Sequence, residues 1–393
     1  MKNKEEQTAP KLRFKGYTDA WQQQKFSKIA LRNNKITNTP NLPAVTYDDI
    51  VSNKGILNKE IKELQKGKKG IFFDKNYVLY GKLRPYLHNY MVPNFKGSAV
   101  GDFWVFKSSY NTPYFLYYLI QTERYNYISN LSIGSKMPRA DWNLVSNSKF
   151  SIPIYKMEQE RIGGLLLKVD DTITLLQQRN IRLNSLKKRL NQYFFKKNYM
   201  EKFPKESISS LGYIYSGLSG KTKKDFNHGT GHYITYININ RNLVSNIEGI
   251  NAIELDNKQN LVKKGDILFT LSSETPEEVG LASVWLYDLP NTYLNSFSFG
   301  FRPNNQILDS LYLGYLFRSD YFRRKAFPLA QGISRYNLAK KSFLNLSIPI
   351  PPLKVQQQIA HILYKIDNLI IENDNSISAL CKLKQFLLQN MFI

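Results

Sequence analysis

From Ile162 and again from Ile359 the chain repeats itself at a constant offset of 197 residues. The first copy reads IGGLLLKVDDTITLLQQRNIRLNSLKKRLNQYFF and the second IAHILYKIDNLIIENDNSISALCKLKQFLLQNMF. Each follows a short signature, Ser151-Ile152-Pro153-Ile154 or Ser347-Ile348-Pro349-Ile350, read here as the opening of a helical stretch. The offset is half of the 393 residues, far beyond the roughly 20 to 50 residues of a solenoid repeat. It constrains the chain to two modules of one plan, each a globular part followed by a long helix.

The helical copies carry a second regularity. Steps alternately four and three residues apart give Ile162, Leu166, Val169, Ile173, Leu176, Asn180, Leu183, Lys187, Leu190 and Phe194, eight of ten apolar. In the second copy the series is Ile359, Leu363, Ile366, Ile370, Asn373, Ile377, Leu380, Lys384, Leu387 and Met391, again eight of ten. A period of about 3.5 residues sustained over four heptads is a coiled-coil seam. Each copy holds one seam Asn and, at equivalent places, a seam Lys. Polar seam residues cost stability and fix register and orientation.

The formal net charge of +24 calls for a polyanionic partner, with nucleic acid foremost because Lys and Arg displace its condensed counterions. Residues 11–150 carry 22 basic and 9 acidic side chains, and residues 201–346 carry 17 and 13, so the first module is the more basic. The stretch 158–198 has 9 basic and 4 acidic residues against 4 and 3 over 354–393, so a basic central helix could lie along a phosphate backbone. Hydrophobic residues at 42% suffice for ordinary cores. The lone cysteine, Cys381, excludes an internal disulfide framework and a multi-thiolate metal site and reads as buried packing. No secretory leader or run of 18 apolar residues occurs, so a cytoplasmic protein without a membrane span is expected.

Residues 1–11 are polar and aperiodic and are expected to be a disordered tail. Short apolar runs broken by Gly, Pro and Asn then predict a strand-rich first module over 12–155. Gly70-IFFDKNYVLYGKL reads as two strands with a turn at Asp74 to Asn76, and Val100-GDFWVF as another. Pro113-YFLYYLIQTERYNYI has helical spacing, with Thr112 as N-cap and Pro113 at the first helical position. A helix over 156–199 follows. The second module, 200–352, repeats the order with strands at Gly265-DILFTLSS and Gly280-LASVWLYD, a helix at Leu308-DSLYLGYLFRSDYFRRKA and a closing helix over 353–393. Between helix and signature each module has a Gly-led basic loop, Gly134-SKMPRADW and Gly332-ISRYNL.

Catalytic chemistry is missing. Gly217-LSGKT ends like a phosphate-binding loop, but the motif needs glycine at 215, where Tyr215 stands. His228 and His232 are four apart, yet Gly229-Thr230-Gly231 between them disfavours the helix that would align them on a metal. No Gly-x-Ser-x-Gly or methyltransferase Asn/Asp-Pro-Pro-aromatic element occurs. The expectation is a noncatalytic chain without a metal site.

Two globular halves, each closed by an Ile-Pro-Ile signature and a long helix, resemble the specificity subunit of type I restriction-modification enzymes. The strongest match is Leu346-SIPIPPLKVQQQIAHILYKID. Phe150-SIPIYKMEQERIGGLLLKVD is a degenerate copy that lacks the double proline, and Pro10-KLRFKGYTDAW, Gly217-LSGKT and Tyr233-ITYINI also fit. The resemblance covers nearly the whole chain. It implies an α+β fold with two similar target recognition domains, a pseudo-twofold repeat, and two long antiparallel coiled-coil helices as spacer. Each domain would read one half of a bipartite, asymmetric double-stranded DNA site. The helices would dock two methyltransferase subunits, with restriction/translocase subunits as further partners. No cofactor belongs to this chain; S-adenosylmethionine is expected on the methyltransferase partner, and ATP with magnesium on the restriction partner. A seam of about 33 residues rises roughly 50 Å, compatible with readers about one DNA turn, roughly 34 Å, apart.

Base edges are read by Arg, Lys, Asn and Gln, while phosphate contacts position the reader. The loop candidates in the first module are Lys82, Arg84, Ser135, Lys136 and Arg139. In the second they are Lys221, Lys223, Lys224, Ser272, Ser273, Ser334, Arg335, Tyr336 and Asn337. Tyr336, beside Arg335, is a candidate for stacking on a base. The competing reading is a noncatalytic coiled-coil scaffold or RNA-binding assembly factor whose charge is a general electrostatic surface.

Overall fold

The computed structural model describes residues 9–131, 137–304 and 306–393. It divides into two compact units, one formed by Met1–Gln178 with Asn373–Ile393 and the other by Arg179–Glu372. The division falls inside the two long helices, Lys156–Phe194 and Leu353–Asn390, so each unit owns part of both.

In the first unit the central sheet is antiparallel, in the order Ala30–Asn33, Phe103–Ser108, Val78–Gly81, Tyr90–Met91. In the second the order is Gly212–Ser216, Ser298–Pro303, Ile267–Thr270, Ala282–Val284, also antiparallel. These strands correspond one for one, which carries the repeat from the helices into the globular parts. Each unit has a second sheet, four-stranded in the first unit and three-stranded in the second, with a parallel pair, Ala44–Val45 with Gly97–Ala99 and Phe226–Ile234 with Thr292–Leu294 respectively. A threonine follows the earlier strand of each pair and starts the next turn. Thr46 forms a capping box with Asp49, and the Thr235 hydroxyl accepts the Asn238 N–H.

Both expected strands of Gly70-IFFDKNYVLYGKL form, with Asn76 left-handed in the turn (φ 64°), but they enter different sheets. The expected helix at Pro113 is two helices, Pro113–Leu119 and Glu123–Ser129. The break sits at Thr122, whose hydroxyl accepts the Tyr125 N–H and starts the second helix. Its counterpart breaks at Ser319, between Ser310–Arg318 and Asp320–Ala326, with the same cap to Phe322. Pro113 takes the first helical position as expected. Thr112 makes no cap, and its hydroxyl donates instead to Gln159 at 2.8 Å.

The signature does not open the helix; it is a strand. Lys149–Ile152 pairs antiparallel with Gln22–Lys25, and Ser347–Pro349 with Lys205–Ser207, so the end of each module is bonded to its beginning. The first isoleucine of each signature turns inward, with Ile152 and Ile348 at 1% and 0% exposure, each burial worth about 1.5–3 kcal/mol. Pro153 and Pro351-Pro352 then block continued pairing, because proline has no N–H to give the ladder. A buried glutamine near the start of each helix fixes its departure. Gln159 donates to the Pro153 carbonyl (3.0 Å) and Gln356 to the Pro351 carbonyl (2.8 Å). These two residues are themselves 197 apart.

Every seam position is buried or half-buried. In the first unit Ile162, Leu166, Val169 and Ile173 share a core with Ile377, Leu380, Leu387 and Met391. Phe392 stacks on Phe115, beside Gly163, while Lys384 meets Asp170, so the helix segments run antiparallel. In the second unit Leu190 and Phe194 pack with Ile359 and Leu363, and Lys187 meets Asp367. The seam lysines therefore have partners. Lys384 Nζ lies 2.8 Å from Asp170, whose other donor is the Tyr118 hydroxyl (2.8 Å). Lys187 Nζ lies 2.5 Å from Asp367, which accepts from the Tyr315 hydroxyl (2.7 Å).

Cys381, expected as buried packing, is exposed. Of the tail expected over 1–11, residues 1–8 lie outside the described residues, Pro10 is buried, and the Leu12 N–H donates to the Asn390 carbonyl (2.9 Å). Among the described residues no helix is long and apolar enough to cross a membrane.

Candidate nucleic-acid interface

In each unit the chain leaving the third sheet strand meets the loop before the closing strand. In the first unit the Arg84 N–H donates to Pro138 (2.7 Å), the Ala140 N–H donates to Lys82 (2.8 Å), and Leu83 bridges Arg139. In the second, Ser272 and Ser273 pair with Asn337 and Tyr336. Two segments of about the same spacing, read in the sequence as separate loops, are one edge in each unit.

On the first unit's edge Lys82, Arg84 and Arg139 come together; Ser135 and Lys136 lie outside the described residues. Asp102 holds two of the three. Arg139 contacts it through Nη2 (3.0 Å) and Nε (3.2 Å), and Lys82 Nζ is 3.5 Å away. Burial works to raise the Asp102 carboxyl, but the bond and charge of Arg139, then those of Lys82, outweigh it and hold the group below the usual carboxylate range. The Tyr47 hydroxyl completes the support, donating to the Asp102 carbonyl (2.9 Å) and accepting the Leu83 N–H (2.8 Å). Burial pushes this hydroxyl well above the usual tyrosine range.

Arg84 differs from its neighbours. It is exposed, its side chain bonds to none of the described residues, and its backbone is left-handed (φ 47°, ψ 66°), as is that of His88 (φ 53°) four residues on. A non-glycine residue in that region costs about 1–3 kcal/mol and persists only where its surroundings impose it. Between the two, Pro85–Leu87 forms a single tight turn that leaves Tyr86 and Leu87 exposed.

The second unit's edge corrects several expectations. Ser272 and Ser273 are buried in a strand, and Ser273 donates to Glu278 (2.8 Å), so neither serine is presented to a ligand. Tyr336 is half-buried against the unit's core rather than free to stack. Ser334, Arg335 and Asn337 are exposed, and the Arg335 guanidinium lies 4.7 Å over the ring of Phe297, itself 47% exposed. Phe297 was not among the sequence candidates; nothing in the local sequence sets this ring apart from the other phenylalanines, of which the chain has 23. Asp102, Tyr47 and Glu278 were missed because their roles are set by long-range contacts.

The lysines after Gly217 belong to the other sheet's margin. Lys221 is tied to Asp256 (2.8 Å), and Thr222 closes a capping box with Asp225, so the Gly-Lys-Thr triplet is a latch. The bond to Lys221, then those from the Lys258 N–H and Gln259, lower the Asp256 carboxyl to about 2. Lys223 and Lys224 remain exposed. His228 lies 3.7 Å from Glu254, and no cluster of three or more potential metal ligands occurs among the described residues.

The edges thus present cations, amides and one aromatic platform on braced backbones. This inventory suits phosphates and base edges. Comparison with known proteins agrees. The model of the type I restriction modification DNA specificity domain matches twice, at residues 19–185 and 200–380. The type I restriction enzyme MjaVIII specificity subunit of Methanocaldococcus jannaschii is 24% identical over 65% of this chain and 64% of its own length. The putative MjaX specificity subunit of the same organism is 30% identical over 50% of this chain and 48% of its own. The chain's match therefore spans less than two thirds of these curated relatives. The crystal structure of a type I restriction-modification system S subunit from M. genitalium shares the fold, with TM-score 0.66 at 13% identity over 98% of this chain and 99% of that one. With both copies of the domain seated on units of matching sheet order, the chain belongs to the type I restriction modification DNA specificity domain family.

Proposed function

We propose that the chain is the DNA-reading specificity subunit of a type I restriction-modification complex and is noncatalytic by itself. Each unit reads one half of a bipartite, asymmetric double-stranded DNA site. The paired helices set the spacer and dock two methyltransferase subunits. The observation that carries this reading is the double match of a DNA specificity domain, one copy per unit. The unlike reading edges support asymmetry: Lys82, Arg84 and Arg139 around Asp102 in one unit, Arg335 over Phe297 with Asn337 in the other. S-adenosylmethionine would sit on the methyltransferase partner, and ATP with magnesium on restriction/translocase partners. Such a complex works on cytoplasmic DNA.

The test is a methylation map of host DNA with and without this chain. Loss of modification at one bipartite motif is expected; identical maps would sink the proposal. Exchange of residues 12–150 for those of a relative should change one half-site only, and a change in both halves would contradict the assignment of one half to each unit.

A further inference from the structure

The duplicated plan gives each unit an equivalent cleft, and the two have diverged in charge. In the second unit a cavity of about 1210 Å³ lies between the end of the Lys156–Phe194 helix and the start of the Asp320–Ala326 helix. In the first a cavity of about 800 Å³ lies between the end of the Leu353–Asn390 helix and the start of the Glu123–Ser129 helix. The lining matches at the offset of 197: Lys187 with Lys384, Phe195 with Phe392, Ser319 with Thr122, Asp320 with Glu123. At one differing position the second unit loses a cation, with Tyr321 for Arg124, and at others it gains one. Lys188 stands where the other has Gln385, Lys196 where it has Ile393, Arg318 where it has Gln121, and Arg324 where the other copy has Tyr127.

Three of the second cleft's cations are committed to the fold, among them Lys325, which donates to the Tyr321 hydroxyl (3.1 Å) and the Ser347 carbonyl (3.3 Å). Arg318 donates to the carbonyls of Ile239, Asn240, Asn242 and Ala282, and Lys187 pairs with Asp367. Five others, Lys188, Lys196, Lys205, Arg241 and Arg324, are exposed and make no side-chain bond or ion pair with the described residues. The acidic lining offers them little. Glu201 answers Lys197, and Asp320 occupies the first turn of its helix.

We propose that this cleft of the second unit holds backbone phosphates of double-stranded DNA beyond the bases that the unit reads. The inference rests on the DNA-reading function proposed above and adds to it a sequence-independent contact on one side only. Interface cores between proteins are depleted in Lys, and of the cleft's large apolar lining Phe195 and Tyr315 are turned into the core at 4% and 3% exposure while Leu243 and Tyr321 are half-buried. Unpaired Lys and Arg around a groove without an exposed apolar anchor suit phosphates.

The test compares the full chain with the triple variant Lys188→Gln, Lys196→Gln, Arg324→Gln and with a charge-matched control, Lys354→Gln, Lys365→Gln, Lys382→Gln, on a random-sequence duplex over a salt series. Each lost phosphate contact lowers the slope of log K against log salt by about 0.9. The cleft variant should lose about 1 to 2.7 in slope and the control less than about 0.9. At low salt the cleft variant should bind at least about tenfold more weakly, with an unchanged urea midpoint. An unchanged slope, or an equal fall in the control, overturns the proposal. So does an unchanged slope with lost assembly onto a methyltransferase subunit, which would assign the cleft to a protein. Discrimination between the methylated motif and its scrambled duplex is read separately. Its absence in the parent chain would refute the specificity reading, while the salt slope still decides the cleft.

Discussion

Replacing Asp170 with Ala should cost the first unit more than replacing its partner Lys384 with Met, and the structure sets the order. Asp170 accepts both the Lys384 ammonium and the Tyr118 hydroxyl, each at 2.8 Å. Tyr118 is fully buried, so losing the carboxylate strands its hydroxyl, a loss of about 1–3 kcal/mol. It also leaves Lys384, 20% exposed, without its counterion, so the total for Asp170→Ala comes to about 2–4 kcal/mol. Lys384→Met keeps an apolar stem beside the Tyr118 ring and leaves Asp170, 26% exposed, still bonded to Tyr118, so about 0.5–1.5 kcal/mol is expected. The double variant should cost little more than Asp170→Ala alone, because the members of one network do not add. Native-state amide exchange is the assay, since two units need not unfold in one transition. Lost protection should localise to 113–129 and to the helix around 170, and Asp367→Ala should reproduce the pattern around Tyr315 in the second unit. Equal costs for Asp170→Ala and Lys384→Met, or strict additivity, would refute the reasoning.

Two shorter predictions concern the reading edges and the Lys221 latch. Arg84→Ala should relax one base position of one half-site, by about 1–3 kcal/mol of discrimination, and Arg335→Ala one position of the other half-site; methylation mapping of each variant checks this. The Asp256 carboxyl is held near 2 against an ordinary 3.8, so its contribution to stability is full above the ordinary value and is lost as pH falls from 3.8 towards about 2. An NMR titration should find that midpoint, and Asp256→Asn should remove the acid-linked step; a midpoint near 4 would mean that Lys221 does not hold the carboxylate.

Features with a period were legible in the sequence, and features made by distant partners were not. The seam appears at every expected position because burial along a helix follows a local period that the chain itself writes. The signature was misread because Ser-Ile-Pro-Ile carries too few residues to separate a strand from a helix start; its strand character comes from a partner 124 to 130 residues away in the first copy and 140 to 144 away in the second. Two candidate loops in each unit are joined by backbone bonds into one edge, yet their residues were sorted by contacts that no local pattern reveals. Ser273 turned to Glu278, Lys221 to Asp256, and Lys82 and Arg139 to Asp102, leaving Arg84, Lys223, Lys224 and Arg335 as the open cations among the described candidates.

The internal repeat permits a comparison that a single copy would not. Gln159 and Gln356, Tyr118 and Tyr315, Asp170 and Asp367, Lys384 and Lys187 are kept in both halves, and each makes its bond within its own unit. These residues fix how a signature strand hands over to a helix and how that helix is held against the short helices beside it. Positions free of that task have drifted: Lys188 against Gln385, Lys196 against Ile393, Arg302 with its buried partner Asp266 against Lys107 and Tyr77. On the function proposed above, a frame kept by internal bonds with surfaces free to change would let the two halves read unlike sequences. The kept residues define what an exchanged half must retain: a transplanted reading edge should work where its donor preserves the Gln, Tyr and Asp positions, whatever the loops between them carry.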